Sequence, residues 1–340
     1  YDNQLTSLDV SGCTSLSTLS LGKMQLSSLG VSGCTSLSSL SLGKMQLSSL
    51  DVSGCSSLTD LSCNDNQLTS LNVSGCVSLT RLNCYNNQLT SLDVSGCSSL
   101  AKLYCYDNQL TSLDVSGCTS LTRLDCYNNQ LSSPLNVSNF ISLTDLRCEN
   151  NLLTTLNASG CTSLTNLNCY NNQLTTLNVS GYTSLKSLDC ENNPLTTLNA
   201  SGCTSLTSTL NLSKMQLTFL DVSGCKLLSD LYCDYNQLTT LNVSGCTNLR
   251  NLICHHNQLT SLDVSGFTLL KDLTCSNNQL TSLNVSGCNA LVYLFCFNNR
   301  INQEIPDWFA QLTTFSYDVK YKYYNEKDIN IKDGAYLCFI

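Results

Sequence analysis

Charged residues are scarce in this sequence, since only 12% of its 340 residues are Asp, Glu, Lys or Arg. The formal net charge is −8, with 16 basic residues against 24 acidic ones. Sequence-independent binding to nucleic acid needs clustered Lys and Arg that displace counterions, and docking on anionic lipid needs a similar basic surface. The composition therefore predicts no nucleic-acid partner and no docking on an anionic membrane.

Long apolar runs and metal-binding spacings are also missing. No apolar run approaches the roughly 18 residues that suggest a membrane helix, so direct membrane insertion is not expected. No Cys-x-x-Cys pair occurs, which removes a common spacing of zinc sites. The only two histidines, His255 and His256, are adjacent and make a poor metal pair. The sequence predicts neither a metal nor another cofactor.

A repeat of 21 residues runs through most of the chain, as the near-identity of residues 79–99 and 100–120 shows. Its units begin at Leu16, Leu37, Leu58, Leu79, Leu100, Leu121, Leu143, Leu164, Leu185, Leu206, Leu228, Leu249, Leu270 and Leu291. Two units carry one extra residue, one near Pro134 and one within residues 206–210, and a bulge can absorb either. Because a solenoid grows along one axis, the chain length does not imply a second domain.

The consensus of these units, LxxLxCxxNxLxxLxVxGC, resembles the leucine-rich-repeat family, whose period is about 20–29 residues. The resemblance covers residues 1 to about 318. A cysteine inside the strand of a 21-residue unit is most similar to the cysteine-ladder repeats of bacterial surface proteins, of the internalin J type and of gut Bacteroidetes. This resemblance implies a secreted or surface-attached bacterial protein with a role in adhesion or interaction.

Spacing within the unit predicts the fold independently. Leu82 and Cys84 lie on one face of a short strand, because side chains alternate with a period of two. One such strand cannot bury its apolar face alone, but parallel neighbours at about 4.8 Å bury it jointly. Spacing thus predicts stacked parallel strands joined by short extended or 3₁₀ segments, with little α-helix. The resemblance implies the rest of the expected fold, an α/β-class leucine-rich-repeat right-handed solenoid with the parallel β-sheet on the concave face and those segments on the convex face.

The two ends of the sequence give the predicted domain boundaries. The solenoid is expected over residues 1–318, and residues 319–340 as a C-terminal cap or the start of a following segment. Residues 1–10 repeat residues 106–115 letter for letter, so the sequence starts within a repeat. A fragment of a longer protein is the expected explanation.

The 23 cysteines are interpreted as core residues. Apart from Cys338 they form two columns. The strand column is Cys63, Cys84, Cys105, Cys126, Cys148, Cys169, Cys190, Cys233, Cys254, Cys275 and Cys296, and the turn column is Cys13, Cys34, Cys55, Cys76, Cys97, Cys118, Cys161, Cys203, Cys225, Cys246 and Cys288. Leu21, Leu42 and Leu212 replace the first; Phe140, Tyr182 and Phe267 replace the second. Hydrophobic residues can replace a packed thiol but not a metal ligand, so buried, reduced thiols are predicted.

Asparagine and glycine columns are also interpreted as structural. An asparagine follows each strand cysteine by three residues, where its buried amide could satisfy backbone groups. Met24, Met45 and Met215 take this slot in the same units that replace the strand cysteine, so the two slots should touch. The glycine of the Ser-Gly-Cys turn is replaced once, by Asn139, which predicts a turn with positive φ.

Exposed strand positions carry the functional signal. The candidate ligand-binding residues of the concave face are Tyr85, Tyr104, Tyr106, Tyr127, Tyr170, Arg81, Lys102, Arg123 and Arg147. Tyr and Arg are enriched at binding hot spots, although Tyr also suits any strand surface and stacks on its neighbours. A second, apolar set is assigned to cap packing: Tyr232, Ile253, Tyr293, Phe295 and Phe297.

Three functions remain open at this point. The first is a non-enzymatic, monomeric recognition module that binds a protein or a glycan, and the second is a passive stalk or spacer that carries another domain. The third is an enzyme that uses outward carboxylates: Asp125, Asp145, Glu149, Asp189, Glu191 and Asp234. An open sheet supplies no water-excluding pocket, so these acids are interpreted as solvated and an enzyme is not expected. Ice binding through the column Thr69, Thr90 and Thr111 is a minor alternative, because the adjacent slot holds serine.

Overall fold

The structure, a computed structural model, describes residues 5–21 and 25–301. The chain is a parallel-strand β-solenoid of about 14 turns, as the repeat predicts. It divides into two compact units, Tyr1–Thr175 with Ser184–Asn193 and Thr176–Thr183 with Pro194–Ile340. The cap predicted for residues 319–340 and the boundary at residue 318 lie outside the described residues.

Each repeat contributes one short strand to a parallel sheet, which we call the main sheet of its unit. The main sheet of the first unit contains Thr18–Ser20, Ser39–Ser41, Asp60–Ser62, Arg81–Asn83, Lys102–Tyr104, Arg123–Asp125, Asp145–Arg147, Asn166–Asn168 and Ser187–Asp189. The main sheet of the second unit contains Ser208–Asn211, Leu228–Tyr232, Asn251–Ile253, Asp272–Thr274 and Tyr293–Phe295. The extra residue near Leu206 is absorbed as expected, since the register shifts between Ser208 and Thr209.

The return path of each turn is extended and forms shorter parallel sheets of its own. In the first unit these strands are Ser7–Asp9, Ser28–Gly30, Ser49–Asp51, Ser70–Asn72, Leu135–Asn136 and Leu156–Asn157. In the second unit they are Thr176–Asn178, Thr197–Asn199, Phe219–Asp221, Thr240–Asn242, Ser261–Asp263 and Ser282–Asn284. No α- or 3₁₀-helix occurs in residues 5–21 and 25–301, so of the two predicted kinds of return segment only the extended one is present.

The core consists of leucine, valine and cysteine columns that stack from turn to turn. Leu82, Leu103 and Leu124 are in register on adjacent strands, and all three are fully buried. Of the cysteines in the described residues, all are free thiols and all but Cys13 are buried, as predicted. Turn-column thiols also donate to the backbone of the preceding turn, as Cys76 Sγ does to the Val52 carbonyl at 3.3 Å. The described ranges contain no helix that is long and apolar enough to cross a membrane.

Buried asparagines hold successive turns together. Asn108 Oδ1 accepts a hydrogen bond from the Leu89 N–H at 3.0 Å, while its Nδ2 donates to the carbonyls of Cys84 and Cys105 at 3.0 and 3.2 Å. One amide thus satisfies backbone groups of two adjacent turns, as the sequence predicts. The predicted contact between the asparagine and the strand cysteine three residues before it is confirmed, and it is made through the backbone carbonyl of the cysteine.

The glycine turns follow the predicted conformation with two exceptions. Gly75 has a φ of 76°, and Asn139, which replaces glycine, has a φ of 61°. The prediction is wrong at Gly96 and Gly117, whose φ is not positive. At these two turns the return path pairs only through a single bridge between Asp93 and Asp114, so the chain enters the turn differently.

Candidate binding surface

The outward side chains of five consecutive turns form a grid on the main sheet of the first unit. The cation column is Arg81, Lys102 and Arg123, which are in register on adjacent strands. The middle column is Asn83, Tyr104, Asp125 and Arg147. The tyrosine column follows the strand cysteines and runs Tyr85, Tyr106, Tyr127, Glu149 and Tyr170. The structure therefore brings eight of the nine candidate residues together, and Glu149 separates Tyr170 from the rest.

Three tyrosines of this column form one face-to-face stack, which we call the tyrosine stack. The ring centroids of Tyr85 and Tyr106 lie 4.5 Å apart with an interplanar angle of 5°, and those of Tyr106 and Tyr127 lie 4.4 Å apart at 9°. These separations match the strand spacing of about 4.8 Å, so the rings stack because the strands do. Both faces of Tyr106 are covered, and a sugar ring could not stack on them; ring edges and hydroxyls remain for contact with a ligand.

Arginines extend the packing of these rings. The guanidinium carbon of Arg147 lies 4.5 Å from the centroid of the Tyr127 ring and covers that end of the stack. The guanidinium carbons of Arg81 and Arg123 each lie 5.7 Å from the Tyr104 centroid. All three distances fall within the range of cation–π attraction. The aromatic side chains of the grid are therefore held in place before any ligand arrives.

Two of the candidate arginines are paired with carboxylates of their own strand. Arg123 Nε and Nη2 donate to the Asp125 carboxylate at 3.0–3.2 Å, and Arg147 Nε and Nη2 donate to Glu149 Oε1 at 3.1 and 2.6 Å. The hydrogen bond with Asp125 raises the pKa of the Arg123 guanidinium above its usual value. The Nε and Nη2 atoms of each guanidinium group are therefore occupied and are not available to a ligand carboxylate.

The expectation that the outward acids are solvated is wrong for three of them. Asp125 is 3% exposed, Glu149 is 5% exposed and Asp234 is also buried. In the first two cases the arginine two residues away lies on the same face of the strand and folds over the carboxylate. Asp234 accepts a hydrogen bond from Ser213 Oγ at 2.6 Å on the neighbouring turn.

Hydrogen-bond donors and acceptors on the grid are unevenly satisfied. Burial, together with the neighbouring phenols, raises the pKa of Tyr106, and burial also raises the pKa of Tyr127, so both hydroxyls stay protonated near neutral pH. Within the described ranges, two buried side-chain oxygens lack a hydrogen-bond donor, and both belong to this surface: Asn83 Oδ1 and Glu149 Oε2. Sequence reasoning missed them, since only their burial distinguishes them from other Asn and Glu residues.

A ladder of left-handed residues runs beside the tyrosine column and was also missed. Asn86 and Asn128 have φ values of 52° and 51°. Their side-chain amides donate to Asp65 and Asp107 of the preceding turn at 2.6 and 2.7 Å. The signal was available, because Asn and Asp are the non-glycine residues that best tolerate this conformation.

The apolar set in the second unit lies on its main sheet. Tyr293 and Phe295 are exposed on the last described strand, in register with Asp272 and Thr274. Its assignment to cap packing depends on residues outside the described part and stays a prediction. Nearby, Tyr235 stacks on His256 with centroids 4.4 Å apart. No group of three His, Cys, Asp or Glu side chains in residues 5–21 and 25–301 could hold a metal ion.

Comparison with known proteins identifies the class. The family described as "Leucine Rich repeats (2 copies)" matches residues 77–117 and 98–140, and "Leucine Rich Repeat" matches residues 290–312. The functional domain of InlJ from Listeria monocytogenes, which includes a cysteine ladder, is 33% identical over 92% of this chain and 67% of that chain, with a TM-score of 0.60. The leucine-rich-repeat domain of APL1B is 25% identical over 66% of this chain and 69% of that chain, with a TM-score of 0.51. No curated protein sequence matches the chain.

The stacked 21-residue turns, the buried asparagines and these matches place the chain in the leucine-rich-repeat family. Within that family it is similar to InlJ, which includes a cysteine ladder, and the many buried thiols of this chain fit such a ladder. Leucine-rich-repeat relatives are typically non-enzymatic modules that bind proteins.

Proposed function

We propose that this chain is a non-enzymatic recognition module that binds a protein ligand through the main sheet of its first unit. The observation that carries the proposal is the tyrosine stack beside the cation column on three consecutive turns. Tyr and Arg dominate binding hot spots, because they combine contact area, rigidity and hydrogen bonding. This grid provides both residue types in one continuous patch.

Preorganisation of the grid supports the proposal. Association is opposed by the loss of side-chain freedom, about 0.5–1.5 kcal/mol for each immobilised flexible side chain. Here Tyr106 is held by a ring on each side, and Arg123 and Arg147 are held by their carboxylates. Much of that loss is already incurred on folding, so the surface can bind with little further ordering.

The geometry favours a protein over a neutral glycan as the ligand. Carbohydrate recognition by aromatic side chains uses ring faces, and the faces inside the tyrosine stack are covered. Edges and hydroxyls instead suit the mixed polar and apolar surface of a protein. A glycan ligand remains the alternative that the binding screen below includes.

Two further functions are weaker. A passive spacer fits the first turns of the main sheet, where the outward residues Thr18, Ser20, Ser39 and Ser41 are small, but not the tyrosine stack. An enzyme would need a carboxylate that is free to exchange protons or attack. Asp125 and Glu149 are instead held in ion pairs with arginine, which supports a non-enzymatic function.

A location outside the cell is part of the proposal, by the resemblance to InlJ from Listeria monocytogenes. Detection of the native protein on intact producing cells or in their medium, against a cytoplasmic marker, tests it. Signal only after lysis would contradict it.

The recognition surface is tested by a binding screen followed by substitution. Wild-type protein is screened against arrays of purified surface-protein ectodomains and of glycans, and each hit is measured again with Tyr106→Ala/Tyr127→Ala. Because hot-spot truncation typically costs about 2 kcal/mol or more, affinity should fall at least roughly thirtyfold. Tyr293→Ala, which removes an exposed tyrosine from the second unit, is the matched control and should bind like wild type.

Circular dichroism and melting should confirm that both variants fold. Equal affinity of wild type and the double variant for every hit would place the ligand site away from the tyrosine stack.

A further inference from the structure

We infer that the cation column is an anion subsite for a short acidic segment, one or two carboxylates long, of the protein ligand. This inference rests on the proposed function, because it assigns the chemistry of a partner to the same sheet. The column is defined by Arg81, Lys102 and Arg123 on three consecutive strands of the first unit.

Like charges stand side by side in this column. Arg81 pairs in register with Lys102, and Lys102 pairs in register with Arg123. Directly opposed like charges on neighbouring strands, about 4.8 Å apart, are destabilising. The chain has only 16 basic residues in 340 and a net charge of −8, so three adjacent cations are not a consequence of composition. A bound anion would relieve their repulsion.

The charge available to a ligand is centred on Lys102. Its side chain is exposed, and no carboxylate of the described residues forms an ion pair with it. Arg81 meets Asp60 only at 3.9 Å, with both side chains close to half exposed. Arg123 donates through Nε and Nη2 to Asp125 but keeps Nη1 for a second acceptor.

Aromatic side chains beside the cation column also favour the binding of a negatively charged group. The Tyr104 ring lies between the guanidinium groups of Arg81 and Arg123 and is on the same strand as Lys102. The tyrosine stack presents ring edges, which carry the positive part of the ring quadrupole, and protonated hydroxyls that can donate. Both features attract carboxylates.

The ends of the column limit the size of the anion. Asp60 precedes Arg81 in the same register, and Asp145 follows Arg123. Asp145 already accepts hydrogen bonds from Thr144 Oγ1 and Asn166 Nδ2 and stays in place. Three cations therefore span about two strand spacings, roughly 10 Å, between two negative ends. A long polyanion that follows the sheet would meet these carboxylates, whereas one or two acidic side chains of a protein would not.

The probes for this subsite are two acetylated and amidated tetrapeptides, Gly-Glu-Glu-Gly and Gly-Gln-Gln-Gly, and a heparin hexasaccharide. Binding is followed by chemical-shift changes in protein labelled with ¹⁵N-tyrosine, because Tyr104 lies on the strand of Lys102 and is kept in every variant. Low salt is used because exposed charges are screened. The variants are Lys102→Glu and, as a control with the same change of net charge, Lys226→Glu on an exposed turn of the second unit.

We expect the glutamate peptide to bind wild type and Lys226→Glu alike, and Lys102→Glu at least tenfold more weakly. The glutamine peptide should not bind. Three results would overturn the inference: equal binding of the glutamate peptide to Lys102→Glu, equal binding of both peptides to wild type, or binding of the heparin hexasaccharide alone through Lys102.

The ligand found in the binding screen separates this inference from the proposed function. If Tyr106→Ala/Tyr127→Ala weakens that ligand but Lys102→Glu does not, the recognition surface stands and the anion subsite fails. If neither change affects it, both fail.

Discussion

Alkaline pH should unfold this protein because its buried cysteines must lose their protons. Burial raises the pKa of the strand thiols, to about 12 for Cys63 and Cys190. Burial raises the pKa of eight further strand thiols in the same way: Cys84, Cys105, Cys126, Cys148, Cys169, Cys233, Cys254 and Cys275. For several of them, repulsion between neighbouring thiols is a further cause. In the unfolded chain a thiol has a pKa of about 8.5.

The sign and size of the effect follow from proton linkage. A raised pKa in the folded state means that the unfolded chain loses protons first as the pH rises. The thiol contribution to stability is therefore complete below about pH 8.5 and is lost progressively toward pH 12. At pH 10 each such thiol favours unfolding by about 2 kcal/mol, because one pKa unit corresponds to about 1.36 kcal/mol. Ten thiols would give roughly 20 kcal/mol, more than the usual 5–15 kcal/mol of total stability.

Urea titrations from pH 7 to pH 10, followed by far-ultraviolet circular dichroism in a non-thiol reductant, measure this loss. The urea midpoint should fall steeply above pH 8.5, and the protein should unfold near pH 10 without denaturant. A triple variant, Cys84→Ala/Cys105→Ala/Cys126→Ala, is the control for the cause. It starts less stable because of the cavities, but the slope of stability against pH should be about 4 kcal/mol per pH unit shallower. Equal urea midpoints at pH 7 and pH 10 for wild type would refute the reasoning.

Two further substitutions test the structural columns by urea unfolding. Asn108→Ala should lower the free energy of unfolding by about 2–4 kcal/mol, because it leaves buried backbone groups of two turns without partners. The control Asn166→Ala, at an exposed strand position, should change the free energy of unfolding by less than about 0.5 kcal/mol. Equal losses in the two variants would contradict the structural role of the buried asparagines. Gly75→Ala should lower the free energy of unfolding by about 1–2 kcal/mol, because φ is 76° and the new Cβ would lie 3.3 Å from the Gly54 nitrogen. The control Gly96→Ala should be nearly neutral, because φ is not positive there and the new Cβ would have no atom within 4 Å. A loss at Gly96 as large as that at Gly75 would show that the turn conformation is not the cause.

Much of the fold could be predicted because one period fixes it. A spacing of 21 residues with Leu82 and Cys84 on one face leaves few choices other than stacked parallel strands, and the observed register follows it residue by residue. The positive φ at Asn139 was also predictable, since few residues tolerate that conformation. Periodicity does not predict the conformation at Gly96, because the repeat sequence is unchanged there while the pairing of the return path is reduced to a single bridge.

The candidate site was predictable in its positions but not in its contacts. The columns that hold Tyr106 and Lys102 could be read from the sequence, because strand positions repeat with the period. The partner of Arg123 could not, since its side chain can reach either solvent or Asp125, and the choice depends on local electrostatics and packing. That choice buries Asp125 and makes it an internal partner of Arg123 instead of a solvated acid. In the inferred anion subsite, Lys102 is therefore the main contact.

The same geometry explains how such a chain can vary its surface without disturbing its core. Core columns change in a coordinated way, since Leu42 and Met45 replace the cysteine and the asparagine together. The following turn keeps its usual contact, because Asn66 Nδ2 donates to the Leu42 carbonyl at 2.8 Å just as Asn87 Nδ2 donates to the Cys63 carbonyl at 3.0 Å. Outward residues can change without disturbing the core, because each contacts only outward neighbours on its own and adjacent turns. Under the proposed function, specificity arises where several adjacent turns depart from Ser and Thr at once. In the first unit those turns are the ones that carry the tyrosine stack and the cation column.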